Sequence, residues 1–272
     1  QEELLLIEKG KATIKAIMDS ANLKVLESGD PLLSVKAAHL DGDKLVTGFG
    51  ESVIDGEMEE LAAFECLKMS RENAKNFHKK GGIENIVKEV NSHSFYYLSR
   101  RDLKIPGFKN REFRTAVVWK KESENKILVC YNDTDALDEE HPRKPNVVYA
   151  SSRTIWEYER LPGVQGIPQT RVKLFARVDI AGSVPTFVMN QLVKGYGKTL
   201  ITMRQKFDKS LEIDAGRRAA IVEAIRLKER VGGEEVLASF ETLYEEKKGW
   251  ERPSRSFGKA DSKVHVKHSG GQ

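Results

Sequence analysis

The hydrophobic positions of residues 170–207 change their period at one point. From Thr170 to Ile180 apolar residues occupy every second position, which is typical of a strand with one buried face. Gly182 and Pro185 end this alternation, and Pro185 stands where the first turn of a helix tolerates proline. The apolar spacing then becomes helical, at Val184, Val188, Leu192, Tyr196, Leu200, Met203 and Phe207. We therefore predict an α+β protein in which a last strand runs into a long helix and the sheet curls around that helix.

The same two spacings of apolar residues, alternating and helical, predict the secondary structure of the rest of the chain. Helices are predicted over residues 2–27, 57–68, 70–79, 214–230 and 234–247. Strands are predicted near residues 44–54, 86–92, 94–101, 112–121, 126–132, 146–159 and 169–180. Ser70 suits the N-cap of the third helix, and Gly48 and Gly50 indicate a bulge or a close backbone approach in the first strand.

The composition is that of a folded protein with a small net charge. The 272 residues are 39% hydrophobic, and 45 basic against 41 acidic residues leave a net charge of +4. This balance argues against a dedicated nucleic-acid binder, so we expect no nucleic-acid partner. We expect Cys66 and Cys130 to be reduced thiols of a cytoplasmic protein, because two cysteines make no disulfide framework.

Motifs that mark enzymes and metal centres do not stand out in the sequence. We find no Gly-x-Ser-x-Gly, His-Glu-x-x-His, P-loop or dinucleotide fingerprint. The charged stretch 133–144 lacks the glycine and the distal glutamate of a calcium loop. His265 and His268 have loose ligand spacing without a second pair of ligands. We therefore predict no catalytic residues, no metal and no cofactor.

Two segments resemble the StAR-related lipid-transfer (START) domains. Residues 170–191 carry the pattern T-x-V-x-L-x-x-x-V-D-x-x-G-x-V-P-x-x-V-x-N-Q, which is similar to that family's closing strand and terminal helix. Residues 110–119, NREFRTAVVW, resemble the family's P-R-D-F strand. The resemblance covers residues 43–210. It implies a helix-grip fold, with a curved antiparallel sheet wrapped around a long C-terminal helix and extra flanking helices.

The resemblance also implies an apolar cavity between the terminal helix and the inner face of the sheet. A lipid or another hydrophobic small molecule is the expected partner. Gly195 and Gly197 either allow tight packing of the helix on the sheet or leave room for a ligand beneath it. The residues expected to bind the ligand are Thr115, Val117, Ser152, Val188, Leu192 and Tyr196.

Position 117 departs from one branch of the family. In the cholesterol-carrying branch an arginine stands four residues after the phenylalanine of the motif and pairs with a buried acid. Here Phe113 is followed at that distance by Val117, which needs no partner. This departure argues against a sterol ligand and favours a drier, more generic pocket.

The charged connection at residues 133–145 is the candidate gate of the cavity. It is long for a link between strands, and the family places a mobile loop over its cavity here. We assign Leu137 and Arg143 to the gate, with Leu137 as the exposed apolar residue of the loop. A plain solvated loop is the alternative.

We expect four segments along the chain. They are an N-terminal helical extension (1–42), a START-like lipid-binding domain (43–210), a helical extension (211–247) and a basic tail (248–272). A Phe-Gly pair followed by a strand-like run occurs at 48–54 and again at 256–264. This similarity has two explanations. The tail is the start of a further START-like repeat in a longer chain with neighbouring modules, or the similarity is a coincidence.

The predicted function is a lipid-binding or lipid-transfer module with transient membrane contact. The basic tail either adds attraction to anionic lipid or is a solvated linker between modules. One alternative is a regulatory or scaffold module of a larger multidomain protein, with a vestigial pocket. The other is a helix-grip enzyme acting on a hydrophobic substrate. For that enzyme the chain offers few polar groups in the cavity, namely Thr115, Ser152 and Tyr196.

Overall fold

The computed structural model describes residues 2–28, 30–39, 45–182 and 186–230, and for 186–194, 196 and 228–230 it describes the backbone alone. The helices in this part of the chain are α1 (Glu2–Met18), α2 (Met58–Cys66), α3 (Arg71–Lys79), α4 (Thr186–Lys206) and α5 (Ser210–Arg230). The strands are β1 (Lys24–Leu26), β2 (Leu33–His39), β3 (Val46–Asp55), β4 (Gly82–Asn91), β5 (Ser94–Arg101), β6 (Arg111–Ser123), β7 (Lys126–Asp133), β8 (Val148–Val164) and β9 (Ile167–Asp179). The chain divides into two compact units between Ile213 and Asp214, so most of α5 belongs to the second unit.

The first unit is built on one curved sheet of nine strands in the order β1-β2-β3-β9-β8-β7-β6-β5-β4. Neighbouring strands in this order are antiparallel. The one further pairing joins β6 and β8 in parallel over Arg111–Phe113 and Val148–Ala150. The last strand β9 therefore lies in the middle of the sheet and leads to α4.

One face of the sheet, which we call the inner face, is covered by α2 and α4. The helix α4 packs against β2, β3 and β9, and α2 packs against β7 and β8. Leu200 and Met203 of α4 are buried in the main core together with Val117, as the helical spacing predicts. A Cβ atom at Gly50 would lie 2.6 Å from Leu200 Cδ1, so Gly50 allows the close approach that the sequence indicated.

The opposite, outer face is covered by α1. Ile7 and Ile17 of this helix are buried in a second apolar cluster that includes Val118, Leu128 and Cys130. Alternate residues of β6 thus face different cores, with Val117 on the inner face and Val118 on the outer face. This alternation decides on which side of the sheet each polar side chain of β6 lies.

The structure corrects the predicted boundaries at the start of the chain. The helix predicted over 2–27 ends at Met18, and residues 24–26 and 33–39 form β1 and β2 of the sheet. The sequence did not predict β2, because its apolar alternation covers only a few positions. These residues form a strand because they pair with β3 and are buried against α4. The fourth strand begins at Gly82 rather than near residue 86. Ser70 is the N-cap of α3, as predicted, and accepts a hydrogen bond from the Asn73 N–H at 3.1 Å.

Two predicted segments lie outside the described residues, namely the helix 234–247 and the basic tail 248–272. The tail includes residues 256–264, which resemble the first predicted strand.

Candidate functional site

The predicted ligand residues that the structure describes with side chains lie on the inner face. Val117 is fully buried in the main core, and Thr115 is nearly so, with its hydroxyl donating to the Tyr97 carbonyl at 3.3 Å. Ser152 is half-buried, and its backbone N–H donates to Asp133 Oδ1 at 2.8 Å. Val188, Leu192 and Tyr196 lie on α4, but their side chains fall outside the description. Contact of these six residues with a ligand therefore stays a prediction.

The inner face carries a pocket of about 440 Å³ between α2 and the ends of β4, β5 and β6. Phe95, Trp119 and Ile127 form its apolar wall on the sheet. The helix α2 and the residue after it contribute Ala62, Ala63, Cys66 and Leu67. Polar groups stand at Glu59, Glu89 and the β4–β5 turn, residues 91–94. Among the predicted ligand residues whose side chains are described, Thr115, Val117 and Ser152 do not line this pocket.

The sequence did not indicate this pocket, because its lining comes from four separate segments of the chain. One signal was present, since Trp119 alternates with Val117 on the same strand and must share its face. Trp119 is 37% exposed, so a large aromatic ring faces a space that the protein leaves open. The partners of that ring on α2 follow only from the packing of the helix.

The β4–β5 turn at the rim of the pocket is fastened to α1 by one carboxylate. Glu3 Oε1 accepts hydrogen bonds from Asn91 Nδ2 at 2.7 Å and from Ser94 Oγ at 2.5 Å, and Glu3 Oε2 lies 3.0 Å from His93 Nε2. The hydrogen bonds from Ser94 and Asn91 lower the pKa of Glu3 to about 2. The start of α1 thereby fixes the rim from the outer face.

A polar cluster lies beneath α2, next to the pocket. The Tyr131 hydroxyl donates to Glu65 Oε1 at 2.8 Å, and Lys68 Nζ donates to the same oxygen at 2.5 Å. The Lys68 ammonium also stands over the Tyr131 ring, 4.8 Å from its centroid. Tyr158 is 0% exposed, and within the described chain its hydroxyl has no hydrogen-bond partner.

Burial controls the protonation of this cluster. Burial, followed by the charge of Glu65, raises the pKa values of Tyr131 and Tyr158 well above the usual range. Burial also raises the pKa of the Cys66 thiol to about 12. At neutral pH all three groups are therefore protonated, and Cys66 lacks the thiolate that a nucleophile needs.

The loop assigned to the gate is anchored to the sheet by ion pairs. Arg143 Nε donates to Asp138 Oδ2 at 2.7 Å, and Asp138 Oδ1 accepts from Arg114 of β6 at 2.6 Å. Arg143 also pairs with Asp135. Leu137 is 0% exposed, so the expectation that it is exposed was wrong. The loop has packed its one large apolar side chain inward, and its role as a gate stays a prediction.

The acid of the Arg-Glu-Phe motif belongs to an ionic ladder on the outer face. Glu112 is fully buried and accepts from Arg100 Nε at 2.8 Å and from Arg114 Nε at 2.7 Å. Arg100 also pairs with Glu84. Glu84, Arg100 and Glu112 stand directly opposite one another on β4, β5 and β6. The ladder is thus separated from the pocket by the sheet, and it continues through Arg114 to the anchored loop.

The described residues hold no group of three or more His, Cys, Asp and Glu side chains placed to bind a metal ion. None of their helices has the length and apolar character needed to cross a membrane.

Comparison of the fold with solved structures finds START domains over most of the chain. Human StAR-related lipid transfer protein 5 covers 77% of this chain and 99% of its own, with a TM-score of 0.59 and 16% identity. The human StarD13 (DLC2) lipid transfer and protein localization domain covers 75% and 97%, with a TM-score of 0.56 and 12% identity. The STAR-related lipid transfer protein of Xanthomonas axonopodis covers 68% and 98%, with a TM-score of 0.53 and 15% identity.

By sequence, no protein-family model and no curated protein matches the chain. At these identities the solved structures establish the fold alone. The chain has the helix-grip α+β fold of the START domains, as the sequence predicted, with a nine-stranded sheet and the long helix α4 on its inner face.

Proposed function

We propose that this protein is a lipid-binding module that holds a hydrophobic ligand on the inner face of its sheet. The observation that carries the proposal is the pocket of about 440 Å³ between α2 and the sheet, walled by Phe95, Trp119 and Ile127. Pockets for small ligands are typically of roughly 300–1,000 Å³ and mostly apolar, with a few polar groups that orient the ligand. The rim residues Asn91 and His93 are such groups.

The START-like fold supports the proposal, since the solved structures that share it include proteins named for lipid transfer. We extend the site along the inner face towards α4, so that Thr115, Val117 and Ser152 face the ligand from the sheet. Val188, Leu192 and Tyr196 would close it from the helix. The pocket under α2 is then one end of a longer ligand path.

We further propose that ligand exchange requires the loop at 133–145 to move. The proposed extension of the site beneath α4 would be enclosed between the sheet and the helix, and an enclosed cavity admits a lipid only when part of its wall opens. The loop is held through ion pairs of Arg143 and Asp138, and partly exposed pairs of this kind contribute little to stability. Movement of the loop would also expose Leu137, and exposing a buried leucine costs about 2 kcal/mol, so the open state would be a minor one. Release to a membrane by transient contact completes the proposed transfer function.

Extraction and mass spectrometry of co-purifying lipids test the main proposal. We expect a defined lipid class to accompany the wild-type protein. Ala63 is exposed and lines the pocket, so Ala63→Trp fills the pocket from its rim without entering the core. We expect this variant to lose the lipid and to keep its thermal unfolding temperature. Ala16→Trp, at an exposed position of α1, is the matched control and should keep the lipid.

The same experiment separates the two alternatives. An empty wild-type pocket would favour the scaffold function, and a chemically altered lipid would favour the enzyme. Equal lipid content in Ala63→Trp and Ala16→Trp would show that the pocket under α2 is not the binding site.

A further inference from the structure

The hydroxyl of Tyr158 is a buried hydrogen-bond donor that the described fold leaves unused. Tyr158 is fully buried in the main core, and its ring stacks on Trp156 at a centroid distance of 6.1 Å. Tyr131 belongs to the same apolar cluster, but its hydroxyl donates to Glu65. Buried polar groups are nearly always hydrogen-bonded, and an unsatisfied one costs free energy, so this exception requires an explanation.

Tyr158 lies beside Ile127 of the pocket wall, on the same face of the sheet. It is the cross-strand partner of Ile127 in the pairing of β7 with β8, and Ile127 lines the pocket. Cys66, which lines the pocket from α2, is close enough to act electrostatically on the Tyr158 hydroxyl. A ligand that enters the pocket and displaces the Ile127 side chain would therefore reach this hydroxyl.

The charge beneath α2 restricts what the hydroxyl can bind. Burial, followed by the negative charge of Glu65, raises the pKa of Tyr158, so negative charge is disfavoured at its oxygen. Cys66 is a neutral thiol at neutral pH and adds no charge there. A carboxylate or phosphate placed there would meet the same repulsion. A neutral acceptor would gain the hydrogen bond without that cost.

On the basis of the proposed lipid-binding function, we propose that the ligand carries a neutral hydrogen-bond acceptor on an apolar body, and that the Tyr158 hydroxyl donates to it. Alcohols, ketones and esters have this chemistry. The apolar body would occupy the pocket between Trp119 and α2, with the acceptor pointing inward. The solvent-facing rim at Asn91 and His93 would then contact the other end of the ligand.

Binding of octane, 1-octanol and octanoate to the delipidated full chain tests the proposal, by displacement of the dye Nile red. We expect wild-type protein to bind 1-octanol more tightly than octanoate. In Tyr158→Phe we expect the affinity for 1-octanol to fall roughly fivefold to tenfold, the effect of one lost hydrogen bond. The affinity for octane should not change. Tyr96→Phe makes the same chemical change on the outer face and should leave all three affinities unchanged.

Folding does not confound this test, because Tyr158→Phe removes an oxygen without a partner and should not lower the unfolding temperature. Equal affinity of wild type and Tyr158→Phe for 1-octanol would overturn the proposal. So would a parallel loss of octane binding, which would indicate a change of shape, or tighter binding of octanoate than of 1-octanol. Failure of all three probes to bind wild-type protein would instead refute the lipid-binding function itself, and this inference with it.

Discussion

Two glycines of α4, two positions apart, have different surroundings. A Cβ atom at Gly197 would lie 3.3 Å from Val35 Cγ2 and 3.4 Å from Leu33 Cδ2. At Gly195 no described atom outside the helix lies within 4 Å of the corresponding position. From the sequence alone, tight packing on the sheet and free space beneath the helix were both possible for each of these glycines. The structure favours tight packing for Gly197 and free space for Gly195.

The two alanine substitutions are therefore expected to differ. Gly195→Ala should raise the free energy of unfolding by up to about 1 kcal/mol, the helix-propensity difference between the residues. Gly197→Ala gains the same propensity but forces Val35 and Leu33 to shift, so it should be less stable than Gly195→Ala by about 1 kcal/mol. Urea unfolding of both variants measures the difference. Equal stabilisation by the two substitutions would show that Val35 and Leu33 of β2 shift without a measurable cost in free energy.

At the scale of elements, the contact between α1 and the β4–β5 turn depends on one carboxylate. The pKa of Glu3 is lowered from 4.5 to about 2, so the ionised form stabilises the folded state. This contribution is complete above pH 4.5 and is lost as the pH falls from 4.5 towards 2. We expect Glu3→Gln to cost about 1 kcal/mol at pH 6, a value that allows for partial solvent exposure, and almost nothing near pH 2.

Unfolding free energies of the wild type and Glu3→Gln, measured across this pH range, check the prediction. Glu2→Gln, at the exposed neighbouring position, removes a carboxylate that takes no part in this contact and is the control. If the unfolding free energies of wild type and Glu3→Gln differ by the same amount at every pH, the contact stabilises the fold by packing and not by the charge of Glu3.

Two aspartates of the loop at 133–145 can be compared by matched substitutions. Asp138 is 35% exposed and pairs with both Arg114 and Arg143, whereas Asp135 is 85% exposed and pairs with Arg143. Asp138→Asn should loosen the anchor by about 1–2 kcal/mol, and Asp135→Asn should have little effect. Hydrogen exchange of the loop amides and the rate of lipid transfer between vesicles are the measurements.

If the loop is the gate, Asp138→Asn speeds both the exchange of its amides and the transfer of lipid. Faster amide exchange with an unchanged transfer rate would place the gate elsewhere.

Long periodic elements were predictable from the sequence, and short ones were not. The period change near Pro185 correctly indicated β9 and α4, because each pattern extends over many residues. The short strands β1 and β2 were missed, since few alternating positions distinguish them from a fraying helix. That error also hid the partners of Gly197, because Leu33 and Val35 lie on β2.

The candidate site was less predictable than the fold for a related reason. Alternation along β6 places Thr115, Val117 and Trp119 on one face, but it does not say where α2 leaves a space over that face. The ionic anchor of the loop was equally hidden. Arg114 lies 24 residues before Asp138 and meets the loop only when the loop folds back on β6.

At the scale of the whole molecule, the segment before residue 43 is part of the folded unit. It provides β1 and β2 to the sheet, and Ile7 and Ile17 to the core of the outer face. We therefore expect a fragment of residues 1–213 to unfold cooperatively. A fragment of residues 43–213 should aggregate or remain unfolded, because it exposes β3 as a long sheet edge and uncovers Phe49. Circular dichroism and gel filtration distinguish the two outcomes.

A well-folded fragment 43–213 would instead show that the N-terminal segment is an accessory to an independent domain.

The ladder of Glu84, Arg100 and Glu112 has a consequence for how the sheet assembles. Strands that pair by hydrogen bonds alone can slip along one another, and a slip by one residue turns every side chain of a strand to the other face. If β5 slipped against β6, Arg100 would turn into the apolar inner core without a partner, and Glu112 would keep Arg114 of its own strand but lose Arg100. An unpaired buried charge costs several kcal/mol. Misaligned intermediates of this half of the sheet are therefore short-lived, and refolding should lead to a single alignment of β4, β5 and β6.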